Sequence, residues 1–125
     1  MWCPTIEPPE LSEWVLSHLL EAMVRINVEA RRRGYSIPPL YQSAVRYQRE
    51  PRGAERWQTA PWLFERGRGD CEDLACARAA ELRAAGEIAR AVAKPPQERV
   101  GGGRLFHIVV DRGGSIEDPS RKLGM

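Results

Sequence analysis

The residues with the clearest chemical potential lie in Gly67-Arg68-Gly69-Asp70-Cys71-Glu72-Asp73-Leu74-Ala75, where two glycines and an aspartate lead into an alanine-rich run. Asp70 is a good N-cap residue, and Asp73 three positions later supplies the acidic half of a capping box. The spacing predicts a helix that begins at Cys71 and carries its thiol at the N-terminus. There the helix dipole and free backbone N–H groups favour the thiolate, the nucleophilic form of cysteine. Glu72 and Asp73 work against this, because nearby negative charge makes a further anion harder to form. A reactive Cys71 therefore needs a positive or proton-accepting partner from elsewhere in the chain. An ordinary capped helix with a small semi-buried cysteine is the competing reading of the same segment.

His107 and Asp118 are the candidates for that partnership. Leu105-Phe106-His107-Ile108-Val109-Val110 is the strongest strand pattern in the chain, and on it His107 shares a face with Val109. Arg112-Gly113-Gly114 reads as a hairpin turn, and Ser115-Ile116-Glu117-Asp118 as a return strand halted by Pro119. A thiol nucleophile, an imidazole base and an orienting acid can be assembled from these three places. Backbone N–H groups at the helix start, including that of Cys71, are candidates to hold an oxyanion. For Asp118 to lie opposite His107, the hairpin must pair Asp111 with Gly114, Val110 with Ser115 and Val109 with Ile116. That leaves Arg112-Gly113 as a two-residue loop, or a wider one if the outermost pair opens.

The remaining elements must position these groups. Pro8-Pro9-Glu10 opens a long helix of about 24 residues, ~36 Å in length, with an apolar stripe at Leu11, Val15, Leu19, Ala22, Ile26 and Ala30. Its role is that of a buttress, and His18 beside the stripe reads as structural. Ile37-Pro38-Pro39-Leu40 is a stiff connector, after which a short helix is expected from Tyr41 to Arg49. Ala54 to Phe64 reads as irregular and holds Trp57 and Trp62, aromatics suited to a groove or to core anchoring. The central helix should run from Cys71 to Ala85 and stop at Gly86, followed by a strand from Ile88 to Ala93. Pro95-Pro96 and Gly101-Gly102-Gly103 bracket a polar loop expected to be mobile.

Composition limits the partners. The chain has 125 residues and a formal net charge of +2, with acids and bases interspersed, so a single domain is expected and nucleic acid is not the favoured partner. No apolar run is long enough for a membrane span, and the first residues lack the pattern of a secretory signal. Three cysteines at irregular spacing point to a reducing compartment, with neither a disulfide framework nor a metal site, and no cofactor is implied.

The segment Gly69 to Ala75, together with Leu82-Arg83-Ala84-Ala85-Gly86 and Ala89-Arg90, resembles the transglutaminase-like cysteine-proteinase superfamily. His107 and Asp118-Pro119 match its strand histidine and Asp-Pro pair. Tyr47-Gln48-Arg49-Glu50-Pro51 and Glu117-Asp118-Pro119-Ser120 further resemble compact forms found in tailed bacteriophages and prophages. The resemblance covers Tyr41 to Met125. It implies an α+β, cysteine-proteinase-like fold with a transglutaminase core: a helix-start Cys packed on a small antiparallel sheet. Residues 1–125 then form one domain, with 1–40 as a helical extension and 41–125 as the core. It also implies a Cys71-His107-Asp118 catalytic set acting on a peptide or protein amide through an acyl-enzyme, by hydrolysis or acyl transfer. Trp57, Gln58 and Trp62 are the candidates for substrate or oxyanion contacts. The alternative is a phage virion or assembly protein that keeps the fold without catalysis and binds other phage structural proteins. A location in the bacterial cytoplasm or on the virion follows from either reading.

Overall fold

A computed structural model describes residues 2–3, 9–51, 56–94, 97–98 and 104–125. In chain order the elements are β1 (Trp2–Cys3), α1 (Ser12–Arg32), β2 (Arg46–Tyr47), α2 (Ala60–Arg66), β3 (Arg68–Gly69) and α3 (Cys71–Ala84). They continue with β4 (Arg90–Ala93), β5 (Gln97–Glu98), β6 (Arg104–Leu105), β7 (Ile108–Asp111), β8 (Ile116–Glu117) and α4 (Pro119–Lys122). Among the described residues the strands form three small sheets, ordered β1-β6-β5, β2-β3 and β4-β7-β8. The last is antiparallel throughout and is the sheet on which α3 packs.

Helix α3 is buried on nearly every side. Ala75, Cys76, Ala79 and Ala80 let α1 and the sheet approach it closely, and these residues join Leu16, Leu20, Val24, Phe106, Ile108 and Val110 in one core cluster. A second cluster joins Leu74 and Ala77 to Leu40, Val45, Leu63 and Leu123. The helix ends in a Schellman motif: Gly86 at φ +85° donates to Arg83 O at 2.9 Å and Glu87 to Leu82 O at 3.0 Å.

The buried side of α1 is not the stripe expected from sequence. Ser12, Leu16, Leu20, Val24 and Asn27 face inward, while Leu11, Leu19 and Ile26 are exposed. The helix carries two apolar stripes, and the inner one is disguised by its polar members. Asn27 is fully buried because its Oδ1 accepts the Ala60 N–H at 2.8 Å, satisfying a donor at the start of α2 that the Thr59 side chain leaves unbonded.

Other expectations are corrected as well. The helix expected over 41–49 is only a 3-10 turn at Leu40–Gln42. Beyond it β2 pairs in parallel with β3, through Arg46 N to Gly67 O and Gln48 N to Gly69 O. Tertiary pairing with the run-in to α3 overrides local propensity there. The irregular segment contains α2, with Pro61 in its first turn and Gly67 as a left-handed cap at φ +76°. The single strand over 105–110 is split, because β6 belongs to another sheet and Phe106-His107 form the crossing. Much of the polar loop between Pro95 and Gly103 lies outside the described residues.

The hairpin register also differs. Val110 pairs with Glu117 and Asp111 with Ile116, two residues away from the expected pairing. The loop residues are Gly113-Gly114, both at positive φ (71° and 107°), closed by Arg112 N donating to Ser115 O at 2.8 Å. Two adjacent glycines suit a primed hairpin turn, whereas Arg112 would be strained in it. A two-residue shift preserves the facing of side chains, so Asp118 still projects on the side of Val109 and His107.

The inner stripe of α1 can be checked directly. Leu20→Ala should cost about 2–5 kcal/mol in urea unfolding, whereas Leu19→Ala should stay within about 0.5 kcal/mol of the parent. Similar costs at both positions would contradict the assigned face.

Candidate active site

Cys71 is the first residue of α3, and a complete capping box precedes it. Asp70 Oδ1 accepts the Cys71 N–H at 2.7 Å, and Asp73 Oδ2 accepts that of Asp70 at 3.1 Å. Asp73 also receives the backbone and side-chain N–H groups of Gln58, at 2.8 and 2.9 Å. Burial nevertheless outweighs these donors and holds the Asp73 carboxyl above its ordinary value, at about 6. Gly69 is required here by space: a Cβ would lie 2.5 Å from Leu63 Cδ1 and 3.0 Å from Asp73 Cβ.

Cys71 is 2% exposed, and its sulfur lies against the backbone on either side of His107, where the crossing enters β7. It is 3.9 Å from Phe106 O, and the Ile108 N–H donates toward it. Successive residues of an extended chain direct their N–H and C=O groups to alternate sides. His107 O faces β4, accepting from Lys94 N at 2.8 Å, so Phe106 and Ile108 offer theirs on the other edge. There β8 has already ended. Glu72 Oε2 lies 3.7 Å from the sulfur on its other side. Burial first, and the Glu72 charge second, push the Cys71 thiol well above its ordinary value. Both effects oppose the pull of the helix dipole toward the thiolate.

His107 Nε2 lies 2.8 Å from Asp118 Oδ2. Asp118 sits diagonally across the hairpin, opposite the Val109 position, and caps α4 through its Oδ1. In the neutral imidazole an Nε2–H donates to the carboxylate, which leaves Nδ1 with its lone pair as a proton acceptor. The preceding residue, Glu117, fixes β8 from the opposite face. Its carboxylate accepts from Arg78 Nε at 2.7 Å, Arg112 NH1 at 3.0 Å and the Tyr41 hydroxyl. Burial would raise the Glu117 carboxyl, but these donors overcome it and hold it at about 2.

The other sequence candidates fall in different places. Gln58 Nε2 donates to both Asp73 and Arg68 O, so it braces α3 and has no amide N–H left for an oxyanion. The Cys71 N–H is likewise committed to Asp70. Trp57 packs against the core cluster that contains Cys71, while Trp62 is exposed on a neighbouring pocket. Cys76 is buried with its sulfur 3.7 Å from Leu20 O, and His18 stacks edge-on with Trp14. Asp70, Cys71 and Glu72 place one ligand-type atom each within 4.8 Å of one another, yet the Asp70 carboxylate is already occupied by backbone donors from Cys71 and Glu50. Sequence reasoning missed α4 and the Glu117 network. Asp118-Pro119 as N-cap and N1 was the available signal for the helix.

A family model described as the transglutaminase-like superfamily matches residues 18–111. The chain belongs to the transglutaminase-like superfamily. The match spans most of α1, the Cys71 segment and His107, and ends before Asp118. Searches of curated proteins and of solved structures returned no match. Members of the superfamily are generally cysteine-based enzymes acting on amides. No described helix of this transglutaminase-like chain is long and apolar enough to cross a membrane.

The influence of Glu72 on the thiol can be measured by alkylation with iodoacetamide. Removing the charge in Glu72→Gln favours the thiolate, giving about tenfold more of it for each unit the thiol pKa falls. The pH profile for Cys71 modification should therefore move to lower pH. An unchanged or upward-shifted profile would show that Glu72 does not restrain the sulfur.

Proposed function

We propose that this protein is a small thiol enzyme acting on an amide bond through a Cys71 acyl-enzyme. The observation that carries this reading is the convergence on β7: the Cys71 sulfur meets the two residues flanking His107, while Asp118 holds the ring from Nε2. Membership of a superfamily of generally cysteine-based enzymes supports the same chemistry.

In this reading the thiol is neutral at rest and loses its proton to His107 Nδ1 as the sulfur attacks the substrate carbonyl. The S–C bond forms, and Asp118 stabilises the imidazolium through Nε2–H. The tetrahedral intermediate then collapses, breaking the C–N bond, and His107 returns the proton to the departing amine. Water or a second amine attacks the thioester, gives its proton to His107, and the sulfur leaves with that proton. Trp57 packs against the core cluster of which Cys71 is a member, and its indole N–H is assigned the oxyanion in this scheme.

The burial of Cys71 favours a second reading, in which a phage virion or assembly component keeps the arrangement without turnover. One experiment separates the two. Incubation with p-nitrophenyl acetate should place an acetyl group on Cys71, detectable by intact mass, and His107→Ala should abolish its rapid formation. The rate should show no added rise through pH ~8.5, the ordinary thiol value, and should hold a plateau beyond it, because this thiol is shifted upward. Absence of the adduct, or equal labelling in His107→Ala, would favour the non-catalytic component. A rate falling again below that pH would contradict the neutral resting thiol.

A further inference from the structure

Guanidinium groups in this protein are generally matched to carboxylates. Arg25, Arg78, Arg83, Arg90, Arg112 and Arg121 each contact one or more. Arg46, whose guanidinium donates to Val45 O, departs from that pattern, and so do the four residues Arg49, Arg56, Arg66 and Arg68. Among the described residues none of the four has a carboxylate partner, and all four line a single pocket of about 390 Å³. Glu50 also lines it, but its Oε2 is engaged by the Arg56 backbone N–H at 2.7 Å. Four guanidinium groups against the single Glu50 carboxylate leave this concavity with an excess of positive charge, and a bound anion relieves the repulsion among them.

Two further features connect the pocket with the site. Trp62, 51% exposed, contributes an indole to its wall, where it can cover the apolar stem of a bound side chain. Gly69, two residues before Cys71, and Gln58, which braces the start of α3, line the same pocket. A ligand seated there lies beside the helix start that carries the thiol.

We infer that this pocket is a subsite for the carboxylate side chains of an acidic peptide, holding an acyl donor next to Cys71. The inference rests on the thiol-enzyme reading above. Arginine forks match carboxylates in pairs of parallel hydrogen bonds, and a pocket of this size takes one or two glutamate side chains. A nucleic acid would call for an extended basic track, and the chain as a whole has a net charge of only +2.

Fluorescence polarisation with fluorescein-labelled tetraglutamate amide tests the subsite without requiring turnover. The full chain should bind this peptide and not tetraglutamine. Binding should weaken roughly tenfold in Arg49→Gln/Arg68→Gln, be partly retained in Arg49→Lys/Arg68→Lys, and weaken in Trp62→Ala. These residues are exposed, so the variants should fold, and Arg90→Gln on the far sheet edge should bind like the parent. No binding, equal affinity in the double Gln variant, or tighter binding of a four-nucleotide oligothymidylate would overturn the proposal. Arginine-dependent binding without an acyl-enzyme on Cys71 would refute the thiol-enzyme reading and leave the anion pocket standing. Acyl-enzyme formation with no arginine-dependent peptide binding would refute the subsite alone.

Discussion

The first turn of α3 buries three carboxyl groups and a thiol together: Asp70, Cys71, Glu72 and Asp73 are all essentially inaccessible. Burying such groups is costly unless each finds donors, and much of the surrounding chain serves that requirement. Gln58 gives both its backbone and its side-chain N–H to Asp73, and Glu50 gives its N–H to Asp70. The β2–β3 pairing carries the Glu50 segment to the cap, and the bare Cα of Gly69 permits the close approach. Cys71 is thus placed by a network of acids, and its proton affinity is raised by the burial this entails and, secondly, by the Glu72 charge.

The histidine side of the site is placed by separate means. Glu117, one residue before Asp118, is tied to α3 through Arg78 and to the 40–42 turn through Tyr41. That network sets β8 in depth, and the Gly113-Gly114 turn sets its register. Pro119 lacks an N–H and begins α4, so pairing with β7 stops there and the Ile108 N–H is directed toward the sulfur instead. The start of α3 and the β7–β8 hairpin, tied to each other through Arg78 and Glu117, thereby meet at one stretch of chain. A change in either anchor moves half of the site.

The placement of the candidate residues Cys71, His107 and Asp118 was largely legible in the sequence, because the signals were local. Asp70 and Asp73 announce the start of α3, and side-chain alternation along a strand carries His107 and Asp118 to a common face whenever the hairpin keeps its parity. The exact register was not legible: both Arg112-Gly113 and Gly113-Gly114 can be written as a loop, and only the positive φ of both glycines decides between them. The inner face of α1 was hidden because Ser12 and Asn27, polar residues, occupy it while Leu19 and Ile26 lie outside. The Tyr41–Arg49 segment has helical spacing, yet β2 forms because β3 offers it a ladder. The pocket arginines, which have no carboxylate partner among the described residues, are scattered from residue 49 to residue 68, and nothing in their spacing reveals that they meet.

The central claim is that Asp118 fixes His107 with Nδ1 as the proton-accepting nitrogen. Two-dimensional ¹⁵N NMR of the imidazole rings reads this directly, since the chain has 2 histidines and a His18→Gln variant assigns the signals. The neutral His107 ring should be protonated at Nε2 and bare at Nδ1, and Asp118→Asn should disturb that preference. A ring protonated at Nδ1 would contradict the account, because no lone pair would then remain on the nitrogen not held by Asp118.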